Sequence, residues 1–223
     1  MKQYLAWQTI NLKDFSAAAI TEQYNKGFVL VRTRKGEMQQ TRSVRVDLSK
    51  FTLSSENRRV LNKLPNLNVE IIDLPIPEPD YSWSIHKLGK DFYENKFGSK
   101  IFSAGKIKQL LIDSNNSNFN LLLKYIDNGQ ALGYAIAYHN AEMLHYAYPF
   151  YDFQKYSNNY GMGMMLKAIL WAKEQGKKFV YLGSVTEAID KYKLQFAGLE
   201  WFDREKWSSD LAALKKIIES SEN

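Results

Sequence analysis

Asp152, Tyr151 and Tyr192 are the side chains in the second half of the sequence best suited to move a proton. A carboxylate or a phenol can accept the proton of an attacking amine, directly or through water. An apolar run that predicts a strand ends in Phe150-Tyr151-Asp152, and a second such run ends at Gly183. Because open sheets bind ligands beyond the carboxyl ends of parallel strands, we predict that Tyr151, Asp152 and the residues after Gly183 face a cleft. A turn or capping role for Asp152 is the alternative.

The elements between these two runs predict a parallel crossover. A turn over residues 158–163 opens an amphipathic helix predicted over residues 161–175, and a strand over residues 178–182 follows. Asn158, Gly161 and Gly163 partly match the loop with which acetyltransferases wrap the pyrophosphate of acetyl-CoA, using backbone amides at a helix N-terminus. The two glycines are equally consistent with close packing of the helix on a strand.

The positive charge of the chain is concentrated in one segment. Residues 32–63 hold nine basic and three acidic residues, a net charge of +6 that equals the net charge of the whole 223-residue chain. Most of the nine are arginines, which make forked contacts with phosphate. The segment therefore predicts a surface that binds a polyanion, with a solvated basic face as the alternative.

The composition excludes several classes of site. The chain has no cysteine, which rules out disulfides, thiolate metal sites and cysteine nucleophiles. His86, His139 and His145 lack the spacing of metal ligands. No apolar run approaches the roughly 20 residues that cross a bilayer, and the N-terminus lacks the pattern of a signal peptide. We therefore expect a cytoplasmic protein that uses no metal and no membrane.

The remaining patterns predict the order of the other elements. Helices are predicted over residues 14–26, with Asp14 as the cap, and over residues 86–97 and 103–112, and a last helix follows Ser208 or Ser209. Asn128-Gly129 is typical of a tight hairpin. Three prolines between residues 75 and 79 favour extended backbone. We place the domain boundary there, with a basic N-terminal region over residues 1–80 packed on a core domain over residues 81–223.

This order predicts an α+β fold. The core is predicted to be GNAT-like, an acyltransferase arrangement in which a mixed sheet combines a β-meander, a crossover helix and a parallel strand. A small basic α/β region precedes it.

Several short segments resemble, in the same order along the chain, the arginyl-tRNA–protein transferases and their bacterial leucyl-transferring relatives. Tyr181-Leu182-Gly183 and residues 191–196 are similar to the Tyr-Leu-Gly and Lys-Met-x-Tyr-Lys-x-x-Phe signature of that family. Phe150-Tyr151-Asp152 is similar to its Phe-Tyr-Asp-Pro strand end, and Gly161 falls where its Ser-Leu-Gly-Thr turn lies. Weaker similarities upstream are Arg42-Ser43-Val44-Arg45-Val46, Lys50-Phe51, residues 54–60 and Phe92-Tyr93.

The sequence departs from the family pattern at three places. The cysteine cluster that binds metal or an iron–sulfur centre in the family is absent, and Thr41 stands where a cysteine is expected. Asp152 is not followed by proline, and Ile189-Asp190 replaces Cys-Pro. These departures exclude metal control through cysteine and leave the donor and the acceptor open.

The resemblance implies that an amino acid, arginine or leucine-like, moves from aminoacyl-tRNA to the α-amine of a protein N-terminus, often an acidic one, as a degradation mark. No cofactor is implied, since aminoacyl-tRNA is the co-substrate, and its phosphates agree with the basic segment. The catalytic residues under this hypothesis are Asp152, Tyr151 and Tyr192. The substrate-binding residues are Gly183, Lys193, Gln195, Arg42 and Arg45. The nucleic-acid-binding residues are Arg58, Arg59 and Lys63.

Two other functions stay open. One is a conventional N-acetyltransferase that binds acetyl-CoA at Asn158, Gly161 and Gly163. The other is a non-catalytic module that binds tRNA or a degron and has lost the chemistry. The first would bind CoA, and the second would bind charged and uncharged tRNA alike without transfer.

Overall fold

The structure is a computed structural model that describes residues 5–153 and 159–220. The strands in this part of the chain are β1 Gln8–Asn11, β2 Phe28–Leu30, β3 Glu37–Gln40, β4 Ser43–Asp47, β5 Asn68–Asp73, β6 Leu121–Asp127, β7 Gln130–His139, β8 Met143–Tyr151, β9 Phe179–Ser184, β10 Leu199–Phe202 and β11 Trp207–Ser208. The α-helices are α1 Ala17–Asn25, α2 Ser55–Asn62, α3 Trp83–Phe97, α4 Ala104–Ile112, α5 Tyr160–Glu174 and α6 Leu211–Ser220. Short 3-10 helices cover Glu78–Asp80 and Ala188–Gln195.

The chain folds into two compact units, each built from separate stretches of sequence. The described residues of the first unit are 5–54, 140–145 and 172–220, and those of the second are 55–139, 146–153 and 159–171. Strand β8 and helix α5 each contribute residues to both units. The division into domains at residues 1–80 and 81–223 is not tested by these units and stays a prediction.

The first unit contains two groups of strands. Strands β1, β3 and β2 form an antiparallel three-stranded sheet in that order. The second group has the order β11, β10, β4, β9 and then the start of β8. Strand β9 is antiparallel to β4 and parallel to β8, with Met143–His145 of β8 paired with Phe179–Tyr181. Because β8 continues through α5 to β9, this pair is the predicted crossover.

The second unit carries the meander in the order β8, β7, β6 and β5. Asn128 and Gly129 both have positive φ, 48° and 78°, as a type I′ hairpin between β6 and β7 requires. Helices α3 and α4 pack closely here, since a Cβ added at Gly89 of α3 would lie 2.8 Å from Ile107 of α4. The ring of Tyr93 lies 5.0 Å from that of Phe102, just before α4. The predicted mixed sheet with a meander, a crossover helix and a parallel strand is confirmed.

Two predicted helix caps are replaced by neighbouring residues. The Ser16 hydroxyl accepts the N–H of Ala19 at 3.2 Å and caps α1, while the Asp14 carboxylate accepts the N–H of Ser16 itself. At α6 the Asp210 carboxylate, rather than a serine, accepts the N–H of Ala213 at 3.0 Å. Either a carboxylate or a hydroxyl can accept the hydrogen bond of a free N–H three residues later. Which residue caps the helix therefore depends on the local direction of the backbone.

A buried aromatic cluster at the centre of the first unit contains a neutral histidine. The Tyr24 hydroxyl lies 2.7 Å from Nδ1 of His145 and also accepts the N–H of Leu30 at 3.2 Å. The Tyr24 ring meets Tyr181 edge-on, with 4.7 Å between centroids. Burial away from water lowers the pKa of His145 to about 3, so the imidazole is neutral at pH 7.

We expect this histidine to make folding sensitive to mild acid. Since the pKa of His145 is lowered from 6.5 in the unfolded chain to about 3 in the folded protein, only the unfolded chain takes up the proton between these values. Stability is therefore fully present above pH 6.5 and is lost as the pH falls, by at most about 1.4 kcal/mol per pH unit from this group. Urea unfolding at several pH values, with His145→Gln as the comparison, measures this loss of stability. Parallel stability curves for the two proteins would contradict this expectation.

Candidate functional site

The end of β9 has an irregular backbone centred on Gly183. In the pairing of β4 with β9, Ser43 faces Ser184 and Arg45 faces Tyr181, so β9 advances three residues while β4 advances two. This is a β-bulge, a feature that re-aims backbone and side chains next to functional sites. Gly183 has φ of +78°, and a Cβ added there would meet no atom within 4 Å. The glycine is therefore required by the backbone conformation rather than by lack of space.

Lys193 fixes the residue that follows this glycine. Its ammonium group donates to the backbone carbonyl of Ser184 at 2.7 Å and lies 3.2 Å from the carboxylate of Asp190. Asp190 in turn accepts the N–H of Thr186 at 3.0 Å. Lys193 is buried, which places it inside this network. Its predicted contact with a substrate anion stays a prediction, while the observed contacts give it a positioning role.

Tyr192 and Gln195 lie on the same short 3-10 helix. Tyr192 is an exposed large side chain, with 44% of its surface accessible. The Gln195 side-chain amide donates to the carbonyl of Tyr192 at 2.7 Å. A solvent-facing phenol can reach a bound ligand, so the placement is compatible with the predicted role of Tyr192 and does not test it.

Arg45 is buried and heavily engaged. Its Nε and Nη2 atoms lie 2.9 and 2.8 Å from one oxygen of Glu200, and Nη1 lies 3.3 Å from the hydroxyl of Tyr181. The planar guanidinium also stacks 3.9 Å from the ring centre of Phe179 and 4.2 Å from that of Trp207. These contacts link β4 to β9, β10 and β11. They support a structural role for Arg45, and substrate binding by this residue stays a prediction.

Arg42 lies three residues earlier and is in a different situation. Its guanidinium is half-buried, and its Nε atom has no hydrogen-bond partner within the described residues. Burial and the positive charge of Arg204 both lower the pKa of Arg42. Arg204 had no signal in the sequence, because its proximity to Arg42 arises only from folding.

In the second unit, Asp152 lines two clefts. One, of about 320 Å³, is lined by residues of α3, β7 and the end of β8. The other, of about 180 Å³, shares Leu88, Asp91 and Asp152 with it. A second carboxylate, Asp91, forms an ion pair of 2.5 Å with Lys87, which also lines the larger cleft. Sequence reasoning missed Asp91, although it shares a helical face with Leu88.

Tyr151 packs inside this unit. Its ring lies 5.1 Å from that of Phe92 and 5.3 Å from that of Tyr160. A Cβ added to Gly161 would approach the same ring to 3.2 Å. The half-buried ring of Tyr151 thus contacts two aromatic side chains and also lines the 180 Å³ cleft, and its predicted catalytic role is not tested by this arrangement.

The glycines at the start of α5 serve packing. A Cβ at Gly163 would lie 2.4 Å from Leu64 and 3.2 Å from Leu67. The N–H of Gly163 donates to the carbonyl of Asn159 at 2.8 Å. Asn158 lies outside the described residues. The observed contacts agree with the packing alternative for Gly161 and Gly163, and binding of acetyl-CoA is untested.

The three predicted nucleic-acid-binding residues lie on or just after α2 in the second unit. Arg58, Arg59 and Lys63 are all exposed. Arg59 makes a forked ion pair with Glu56, with distances of 2.7 and 2.5 Å. An exposed pair within one helix contributes little to stability, so a phosphate can compete for this guanidinium.

Neither a metal-binding group nor a membrane-spanning helix occurs in the described part of the chain. Within residues 5–153 and 159–220, no three His, Asp or Glu side chains are grouped so that they could hold a metal ion. None of the helices in the same residues combines the length and apolar character of a bilayer-crossing segment.

One protein-family model matches the chain over residues 80–203, more than half of its length. The family is described as arginine-tRNA-protein transferase, C terminus. No curated protein matches the sequence.

Among solved structures, the chain is similar to the C-terminal domain of a protein described as a lysylphosphatidylglycerol synthetase from Agrobacterium fabrum. The TM-score is 0.50 at 12% identity, covering 76% of this chain and 52% of that one. L-PGS from Bacillus licheniformis is matched with a TM-score of 0.47 at 13% identity, covering 65% and 46%. The glucosamine N-acetyltransferase region of a fungal enzyme is matched with a TM-score of 0.47 at 12% identity, covering 86% of this chain and 23% of that one. The chain thus spans about half the length of the first two structures, and it shares its fold with the first of them.

Gly183 and Gly129 offer a matched pair of substitutions. Both have φ of +78°, and neither has an atom within 4 Å of an added Cβ. Gly183→Ala and Gly129→Ala should each lower the free energy of unfolding by about 1–2 kcal/mol, because an L residue is strained in this region. Only the Gly183 variant should lose enzymatic activity, since Gly129 lies in the turn between β6 and β7 and lines neither described cleft. Urea titration identifies the conditions in which both variants are folded, and activity is measured there. Equal activity of the two variants would show that the β-bulge is not part of the active site.

Proposed function

Since the chain belongs to the family of the arginine-tRNA-protein transferase C terminus, we propose that it transfers an amino acid from aminoacyl-tRNA to the N-terminal α-amine of a protein. The family membership makes the chain a transferase, and the match over residues 80–203 is the observation that carries the proposal. Arginine or a leucine-like residue is the proposed donor amino acid, and an acidic N-terminus is the proposed acceptor. The cytoplasm is the proposed location of the reaction.

The chemistry asks little of the protein beyond positioning. The amine nitrogen attacks the ester carbonyl of the aminoacyl-tRNA, a C–N bond forms, and the C–O bond to the terminal ribose breaks. The ester is already activated, so holding the two reactants in place supplies much of the rate. The amine must lose a proton, which the ribose oxygen can take up as it leaves.

Asp152 is the proposed acceptor of the amine proton. It lines the two clefts described above, where a bound amine would be partly shielded from water. A carboxylate in such a place orients an ammonium group and relays its proton, directly or through water. Asp91 lines the same clefts, where its charge is balanced by the ion pair with Lys87, so Asp152 is the carboxylate proposed to meet the amine.

Positively charged residues are proposed to hold the tRNA. Arg58, Arg59 and Lys63 present exposed cations from one short stretch of chain. Phosphate contacts of this kind position RNA without reading its sequence. No cofactor is proposed, because the aminoacyl ester itself carries the activated group.

Labelled aminoacyl-tRNAs incubated with peptides that differ only in the first residue provide the direct test. We expect transfer to one class of peptide, and Asp152→Asn should reduce single-turnover transfer by about 100-fold or more, as for loss of a general base. Binding of aminoacyl-tRNA should be unchanged. Asp127→Asn is the matched control, a half-buried aspartate at the end of β6 that lines neither described cleft. Full transfer by the Asp152 variant would remove this carboxylate from the mechanism.

Charge reversal on α2 tests the proposed tRNA surface. Arg58→Glu with Arg59→Glu should weaken tRNA binding and flatten its dependence on salt, by about 0.7 in log–log slope for each phosphate that the protein no longer neutralises. Lys215→Glu with Lys216→Glu is the control, since this pair is also consecutive, exposed and helical. Binding would be measured by filter retention between low and physiological salt. If both double variants show the slope of the wild type, the α2 surface does not bind tRNA.

A further inference from the structure

A further cleft, of about 530 Å³, is lined by residues of the first unit. It is formed where β4 and α5 end and β9 begins, and its volume is within the range of pockets that bind small molecules. Along β9, Phe179 and Gly183 are four residues apart, which in a strand corresponds to about 13 Å. The cleft is therefore separate from the bulge at Gly183. The side chains that line it include those of Lys173, Lys177, Lys178, Asp47, Leu48 and Phe179.

Positive charge dominates this cleft. Three lysines and one aspartate line it, which gives a net charge of +2. The carboxylate of Asp47 is already engaged, because one oxygen lies 2.9 Å from the ammonium of Lys50 and the other accepts the N–H of Ser49 at 3.0 Å. Lys178 lies 3.0 Å from the carboxylate of Glu142, but this pair is exposed, so an anion in the cleft can compete for the ammonium.

Lys177 is the buried lysine of the three. Only 8% of its surface is accessible, and its ammonium group donates to the backbone carbonyl of Asn140 at 2.5 Å. A carbonyl is neutral and orients this group without cancelling its charge. Burial lowers the pKa of Lys177, which means that the ammonium is poorly solvated. An anion bound beside it would stabilise the charged form.

Lys173 is exposed and also contacts neutral groups. Its ammonium group donates to the carbonyl of Phe51 at 2.6 Å and lies 5.7 Å from the centre of the Phe51 ring. Arg204 makes a similar contact with the ring of Trp7, at 5.1 Å. A cation over an aromatic face keeps its full charge. Lys173 is thus placed to bind an anion together with the other two lysines.

We propose that this cleft binds the phosphate group of a small phosphate monoester through Lys173, Lys177 and Lys178. At about pH 7.5 a monoester carries nearly two negative charges, which matches the net charge of the lining. An ammonium is a point charge that can approach a tetrahedral anion from any side, whereas planar carboxylates are matched by the fork of an arginine. Leu48 and Phe179 offer apolar surface to the organic group of the ester.

An RNA backbone matches the cleft less well. Each of its phosphates is a diester with a single negative charge, and a sugar continues the chain on both sides. A concave site would have to accommodate both sugars, while a monoester places its phosphate at the end of the molecule.

Calorimetry with two matched probes tests the site on the whole chain. Methyl phosphate is a monoester, and dimethyl phosphate is a diester like those of RNA. In phosphate-free buffer at constant ionic strength, methyl phosphate should bind at one site per chain and at least about 10-fold more tightly than dimethyl phosphate, because it carries a second charge. Neither probe takes part in aminoacyl transfer, so the result does not depend on the proposed function.

Two variants assign the binding to the lysines. Lys173→Gln and Lys177→Met should each weaken the binding of methyl phosphate at least about 10-fold, as for loss of a hydrogen bond between charged groups. Lys215→Gln is the matched control, an exposed lysine of α6 in the same unit that does not line the cleft. Because Lys173 is exposed, its variant should keep a Tm close to that of the wild type, which separates lost binding from unfolding.

Acetylation with acetic anhydride, followed by mass spectrometry, locates the bound probe without any substitution. Saturating methyl phosphate should slow the acetylation of Lys173 and Lys178 and leave that of Lys215 and Lys216 unchanged.

The site would be rejected if methyl phosphate did not bind, if both variants bound it as tightly as the wild type, or if protection extended equally to the lysines of α6. Equal binding of the two probes would also overturn it. Displacement of the probes by tRNA would in that case assign the lysines to an RNA backbone.

Discussion

Removing a guanidinium from water is unfavourable, and Arg45 is stable in its buried position only because its partners, above all the half-buried Glu200, are in place. Glu200 neutralises the charge, the Tyr181 hydroxyl takes a further N–H, and two aromatic faces cover the guanidinium plane. Loss of one member of such a pair typically costs about 3–5 kcal/mol, since the other charge is left buried. The pair also links β4 to the strands on both sides of it. In the pairing that puts Ser43 opposite Ser184, Arg45 faces Tyr181, whose hydroxyl it contacts.

The arginines of the basic segment serve physically different purposes. Arg45 is buried and fully paired, Arg42 is half-buried beside a like charge, and Arg58 is on the exposed face of a helix. Arginine is suited to all three situations because its charge is delocalised, weakly hydrated and almost never lost. The net charge of residues 32–63 therefore overstates how many of their positive side chains can bind a polyanion. The exposed residues of α2 are the part that fits an RNA surface.

Features that depend on neighbours in sequence could be predicted, and those that depend on distant partners could not. The hairpin at Asn128-Gly129 and the crossover through α5 follow from local turn chemistry and periodicity, and both are present. The burial of Arg45 depends on Glu200, which is 155 residues away. The pairing of Lys193 with the Ser184 carbonyl depends on how the short 3-10 helix folds back. Arg204 carries no motif, so only the folded chain brings it to Arg42.

The stacking of Arg204 on Trp7 has a consequence for how the protein can be observed. Emission from an indole ring responds to a charge held over its face, and this guanidinium lies 5.1 Å from the ring centre. An anion that drew the guanidinium away would alter the surroundings of the chromophore. Trp7, one of five tryptophans in the chain, is thus placed to report on the position of this guanidinium.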